Sequence, residues 1–290
     1  MSVNKWFRIF HNSVYFKGDM VATIQNRRQA VSRRINREYW NITSSTSNSL
    51  YTGSYGRSTE ITSSDIDLIV KLPWCVKNRF DNRVGNVQSQ LLSEVKDKLK
   101  LIYSSSHLKS DGQVIVINFS DDIKFEIIPV FEYSDGLFCY PDTNSGRSWK
   151  LMNPVLEMDA FNLRNRLNNK TMKKFCRMIR VWRNENDVDI SGELIDTIVY
   201  AFYSEANYIE KDPYLYFDFI TRDFFKYISD NIHNIWFTPG TSRILKLKYP
   251  YLTYDKTTKS FEDSLKAIKY ESDYPYLAKS SWRDIYGSKF

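Results

Sequence analysis

The sequence predicts an α+β protein, with a mixed α/β first half and a helical second half. Two alternating runs, QVIVINF (113–119) and IKFEIIPVF (123–131), flank a short SDD turn and read as a hairpin. From residue 154 onward the apolar spacing is mainly helical. Hydrophobic residues make up 42% of the 290-residue chain and aromatics 16%, a composition that can build a substantial core. The change of pattern near Trp149 to Pro154 divides the chain into segments 1–150 and 151–290.

The elements follow in order. MSVNKWFRIFHNSVYFKGD is mixed and aromatic and lacks the pattern of a secretion signal. Val21, Ile24, Val31, Ile35 and Tyr39 recur near helical spacing, so residues 19–40 read as one long amphipathic helix. Its other faces carry Arg27, Arg28, Arg33, Arg34 and Arg37, which suit a solvated surface or a nucleic-acid contact. TSSTSNS (43–49) reads as a loop, Ile66 to Val70 as a strand and 87–101 as a helix. Helices are expected at about 155–168, 171–186, 193–209, 214–232 and 260–270.

Composition excludes several function classes. No apolar run approaches the length that crosses a bilayer, so no membrane partner is expected. Cys75, Cys139 and Cys176 are far apart and odd in number, which argues against a disulfide framework and points to the reducing cytoplasm. His11, His107 and His233 are too scattered for a zinc cluster. The formal charge of +7 suits an anionic partner such as nucleoside triphosphates or a polynucleotide.

The chemistry is expected from carboxylates. Asp65 and Asp67 lie two apart on a strand and so project together, away from Ile66, Leu68 and Val70. Two ionised carboxylates this close repel each other, and a hard divalent cation relieves that repulsion. Glu126 interrupts an otherwise apolar strand between Phe125 and Ile127 and is the expected third acid. Gly53-Ser54 stands ten residues before the pair and offers a turn whose backbone and hydroxyl suit phosphate.

This constellation, GSYGRSTEITSSDIDLIV with a later acid on a strand, resembles the nucleotidyltransferase superfamily that includes DNA polymerase beta. Within it the chain resembles the cGAS/DncV-like branch of bacterial anti-phage systems (the CD-NTases, with SMODS domains). VIVINFSDDIKFEIIPVF, WKLMNP, KKFCRMIRVWRNEN, ISGELIDTIVYAFY and WRDIYGSKF look like further segments of that branch, so the likeness spans most of residues 50–290. It implies a bilobal fold with a mixed sheet, a C-terminal helical lobe and a cleft. It also implies a monomeric cyclase making a cyclic di- or trinucleotide from ATP, GTP or pyrimidine nucleotides, which acts on a separate effector protein. Glu126 stands where Asp is common, and Gly192 follows Ser191 where several relatives carry an aromatic.

The resemblance implies two Mg²⁺ ions, with Mn²⁺ as a substitute, held by Asp65, Asp67 and Glu126. Gly53 and Ser54 would hold outgoing phosphates. In KKFCRMIRVWR, Phe175, Met178, Ile179 and Trp182 form an apolar helical stripe, while Arg177 and Arg180 project from another side and suit triphosphate. Ser191 is a candidate for a phosphate or base contact, and Arg57 is either another such contact or a residue that caps its turn or faces solvent. Two alternatives share these residues: a non-cyclising transferase making linear oligonucleotides or tailing RNA, and a nucleic-acid-binding module. A mixed form would take an RNA or DNA activator on the Arg27–Arg37 surface.

Overall fold

A computed structural model describes residues 2–144, 147–205 and 214–290. The chain divides into two compact units. A sheet unit contains Phe16–Gly56 and Ser63–Val155, and a helical unit contains Met1–Tyr15, Arg57–Thr62 and Leu156–Phe290.

In the sheet unit, α2 (Asp19–Ile35) runs into a π turn, Asn36–Trp40. Ile24, Val31 and Ile35 are buried as the periodicity predicts, whereas Val21 is exposed. Buried Asn36 donates its amide to the carbonyls of Ser44 and Ser47 and so shapes the serine-rich loop. The strands are β1 (Ser49–Tyr51), β2 (Ile66–Lys71), β3 (His107–Asp111), β4 (Val114–Asn118), β5 (Lys124–Glu132), β6 (Phe138–Asp142) and β7 (Ser148–Met152). They form one mixed sheet in the order β1-β2-β5-β4-β3, with β6 joining β5 and β7 joining β6. Among the described residues only β2 and β5 pair in parallel; the expected hairpin is β4–β5, antiparallel.

The pleat gives the sheet two different faces. Ile66, Leu68 and Val70 of β2, with Phe125, Ile127 and Phe131 of β5, share one core cluster with α2, α4 (Trp74–Asp81) and α5 (Val87–Lys100). Ile69, Val130 and Phe138 make a smaller cluster on the other face. That second face carries the acids, because alternation puts Asp67 and Glu126 on the same side as Ile69 and Val130.

In the helical unit, α1 (Val3–Ser13), α6 (Pro154–Leu167), α7 (Met172–Glu185), α8 (Gly192–Glu205), α9 (Phe217–Asp230), α10 (Pro250–Tyr270) and α11 (Pro275–Tyr286) share one aromatic-rich core. Although α6 begins at Pro154, its first two residues count with the sheet unit. Phe175, Met178, Ile179 and Trp182 of α7 are all fully buried, as the stripe predicts. The Trp182 indole donates to Ser260 Oγ at 2.8 Å. The helices expected at 193–209 and 214–232 appear as α8 and α9; positions 206–209 lie outside the described residues.

Sequence periodicity missed α1, α11 and the first ten residues of α10. The reason is plain in α10. Its buried stripe is Thr253, Thr257, Ser260, Ser264 and Ala267, small and mostly polar side chains that carry no hydrophobic signal. Several of their hydroxyls are satisfied within the helix, for example Thr257 donating to the Tyr254 carbonyl at 3.0 Å, and Thr257 also meets Ser229 of α9 at 2.9 Å. Among the described residues no helix is long and apolar enough to cross a membrane.

The same unit holds a buried acid, Asp218, and a half-buried one, Glu271, neither of which has a close cationic partner strong enough to offset its burial. Burial lifts the Asp218 pKa to about 6, and one of its oxygens has no hydrogen-bond partner. Burial, then the Asp218 charge, lift Glu271 to about 8, although the Trp282 indole donates to it at 3.3 Å. Raised acids bind more protons folded than unfolded, so stability is present at low pH and is lost as pH rises. The thermal midpoint should therefore fall between about pH 5 and pH 9. Glu271→Gln should flatten that slope and raise the midpoint at pH 9; differential scanning fluorimetry across pH checks it.

Candidate active site

The site is built by the parallel pairing of β2 and β5. Ile66 stands opposite Phe125 and Asp67 opposite Glu126. The two acids therefore share one face of adjacent strands, near the strands' N-terminal ends. Asp65 immediately precedes β2 rather than lying within it, and the same register sets it beside Lys124. Lys124 Nζ lies 2.7 Å from Asp65 Oδ2 and 2.6 Å from Glu126 Oε1. One ammonium can reach both only if the two carboxylates stand within a few ångströms of each other. The three expected acids thus converge, with a lysine among them that sequence reading missed. Its signal was available: Lys124 and Glu126 are spaced two apart on β5 as Asp65 and Asp67 are at the start of β2.

Burial works against the Lys124 charge, but hydrogen bonds to Asp65 and Glu126 and their charges outweigh it and hold its pKa above the ordinary lysine value. All four side chains are partly covered and partly open to solvent.

Gly53 and Ser54 open the short helix α3 (Gly53–Arg57), tied to the acids through backbone. The Thr52 N–H donates to the Asp67 carbonyl at 3.0 Å. Gly53 has φ +59°, and a Cβ there would overlap the Asp67 carboxylate. Glycine is required both by the left-handed backbone and by this close approach. Ser54 is buried beside it. Gly53→Ala should cost about 1–2 kcal/mol in left-handed strain and more in displaced Asp67. Activity should fall together with thermal stability, measured by product formation and melting of the same preparation.

Arg177, Arg180 and Ser191 belong to the helical unit. Arg177 donates Nε to the Glu60 carbonyl at 3.1 Å and Nη2 to its carboxylate at 2.9 Å, and its guanidinium lies over the Tyr15 ring. Arg180, expected on the triphosphate, is enclosed instead. It donates Nε and Nη2 to Asp196 at 3.1 and 2.7 Å, and Nη2 also to the Gly192 carbonyl at 2.8 Å. A Cβ at residue 192 would overlap this guanidinium, which is the local reason for glycine there. Arg57, read as a cap or a solvent-facing residue, is corrected: it is buried and donates to Asp196 at 3.0 Å. Thr59 completes the network at 2.7 Å. Burial pushes the Asp196 pKa up, and the Arg180 and Arg57 charges with the Arg180 and Thr59 hydrogen bonds pull it below the ordinary value. Ser191 is exposed, and its hydroxyl accepts the Leu194 N–H at 3.2 Å, capping α8.

The basic face of α2 is largely used within the sheet unit. Arg27 pairs with Asp121 at 2.8 Å and covers the Phe119 ring, Arg28 bonds the Ser49 carbonyl at 3.0 Å, and Arg34 pairs with Glu38 at 2.7 Å. Arg33 and Arg37 are exposed.

Among the described residues, no group of three or more His, Cys, Asp or Glu side chains already stands in metal-binding geometry. The donor types nevertheless suit a hard divalent cation: Asp67 stands opposite Glu126 across β2 and β5, and Asp65 shares the Lys124 ammonium with Glu126.

Residues 1–165 match the model of the Second Messenger Oligonucleotide or Dinucleotide Synthetase domain, SMODS, over more than half of the chain. The chain belongs to this family. A probable cyclic nucleotide synthase of Bacillus cereus strain VD146 is 23% identical over 226 residues, covering 72% of this chain. The match spans 65% of that relative's own length. Among solved structures, Escherichia coli MS115-1 CdnC with ATP aligns at TM-score 0.74 and 12% identity, covering 100% of this SMODS chain and 99% of the other. Vibrio cholerae DncV, a cyclic AMP-GMP synthase solved with a linear intermediate, aligns at TM-score 0.67 and 13% identity, covering 83% and 69%. At these identities the likeness is one of fold alone, and it agrees with the expected α+β class.

Proposed function

We propose that this SMODS protein joins nucleoside triphosphates and closes the product into a cyclic di- or trinucleotide. The observation that carries the reading is the register of β2 and β5, which sets Asp67 opposite Glu126 with Asp65 alongside, next to the Gly53-Ser54 turn.

Asp65, Asp67 and Glu126 would hold divalent cations. Mg²⁺, or Mn²⁺ in its place, supplies Lewis-acid stabilisation of the attacking and leaving oxygens when bound. The chain's residues do the rest. Gly53 lets the backbone come close to the acids, and Ser54 with that backbone binds the phosphates to be expelled. The Glu126 carboxylate receives the proton of the attacking ribose hydroxyl. That oxygen bonds to the α-phosphorus of the next nucleotide as pyrophosphate leaves, and the last such step closes the ring. Arg177 and Ser191 are our proposed triphosphate and base contacts on the helical unit. Arg180 is assigned instead to holding Asp196 and the start of α8. We place the reaction in the cytoplasm, with the product acting on a separate effector in anti-phage defence.

The deciding experiment incubates the protein with four labelled nucleoside triphosphates and Mg²⁺ or Mn²⁺. Phosphatase treatment and mass spectrometry follow. A phosphatase-resistant small product supports the proposal; linear oligomers, tailed RNA or labelled protein would replace it with a non-cyclising transferase.

A further inference from the structure

Resting on the metal-site reading above and deepening it, we infer that Lys124 is a built-in counter-cation of the acid cluster. An incoming metal ion must displace its ammonium from Asp65 and Glu126, and Lys124 thereby sets the metal concentration at which the site loads.

The geometry carries this. In the parallel register, the pair Asp65 and Asp67 runs alongside the pair Lys124 and Glu126, which makes a two-by-two cluster of three acids and one base. The ammonium bridges two of the acids at 2.7 and 2.6 Å, occupying carboxylate lone pairs that a metal would need. A divalent cation and an ammonium cannot both take those oxygens, because like charges at such range repel strongly. The lysine is also able to give way. Its stem is flexible, its ammonium is a point charge without fixed direction, and its side chain is 34% exposed. A purely structural role fits less well. An ion pair this exposed contributes little to stability, whereas its charge sits directly on two of the residues that would bind the cation. Lys124 is thus a positioning residue, acting through Asp65 and Glu126 rather than on substrate.

The test is Mn²⁺ binding to the full chain without nucleotide, read by electron paramagnetic resonance of the free ion. It uses wild type, Lys124→Met, Lys124→Ala and Lys124→Arg. Loss of the charge should tighten Mn²⁺ binding about tenfold in the Met and Ala variants, with Arg staying near wild type. The metal concentration for half-maximal turnover should fall by the same factor. Lys124→Ala removes the same charge with less apolar surface and decides the question should Lys124→Met not fold. Mn²⁺ binding no tighter than wild type in a folded Met or Ala variant overturns the inference. Asp67→Asn separates the two levels. If it abolishes wild-type Mn²⁺ binding while the Lys124 variants change nothing, only the lysine's role fails. If it leaves Mn²⁺ binding intact, the metal site and the inference fall together.

Discussion

Asp67→Asn is expected to abolish product formation, by at least about a thousandfold, while leaving the fold intact. The aspartate is the central acid of the cluster. It faces Glu126 across paired strands, and its carboxylate lies where a Cβ on Gly53 would be. Asn keeps the shape and the backbone bond from Thr52, but it removes the negative charge that a divalent cation requires. Without metal, loss of that charge also eases repulsion among the three carboxylates, so the melting temperature should hold or rise slightly. Mass spectrometry of the products and fluorimetry of the same sample check both halves. Substantial Mg²⁺-dependent activity in a well-folded Asp67→Asn protein would mean that the catalytic acids are elsewhere.

Asp196→Ala is expected to produce the largest loss of stability. Asp196 is fully buried and accepts from Arg57, Thr59 and Arg180. Truncating it strands two buried guanidiniums, each 7% exposed or less, without their carboxylate. Breaking a buried ion pair from one side costs about 3–5 kcal/mol, because Arg57 then keeps only the more distant Glu157 carboxylate at 3.9 Å and Arg180 only the Gly192 carbonyl. In a domain of this size that is a fall of roughly 10 °C in melting temperature. Asp196→Asn keeps an acceptor but not the charge and should fall between. A near-wild-type melting curve for Asp196→Ala would show that the network is not formed in solution. The contrast with Asp67→Asn is one of environment: an acid among acids gains stability on neutralisation, whereas an acid among arginines loses it.

Several features were legible in the sequence because they depend on local periodicity alone. A strand alternates every two residues, so the pairing of Asp65 with Asp67 and the interruption at Glu126 could be read from spacing. A helix repeats near 3.6, so the α7 stripe was visible, and its four residues are fully buried. The α10 stripe was not, because its small polar side chains pack well without appearing hydrophobic.

What the sequence by itself determined is the inventory: the acids, the Gly-Ser turn, the β4–β5 hairpin and the mainly helical second half. Tertiary structure alone decided who meets whom. The register of β2 against β5 brought Lys124 to two of the acids, and packing within the helical unit turned Arg57 and Arg180 into partners of Asp196. The physical reason is range. Periodicity fixes the face a side chain occupies from its neighbours in the chain, but a buried charge is neutralised by a partner from anywhere. The residues joined here are 59 positions apart for Asp65 and Lys124, and 139 for Arg57 and Asp196.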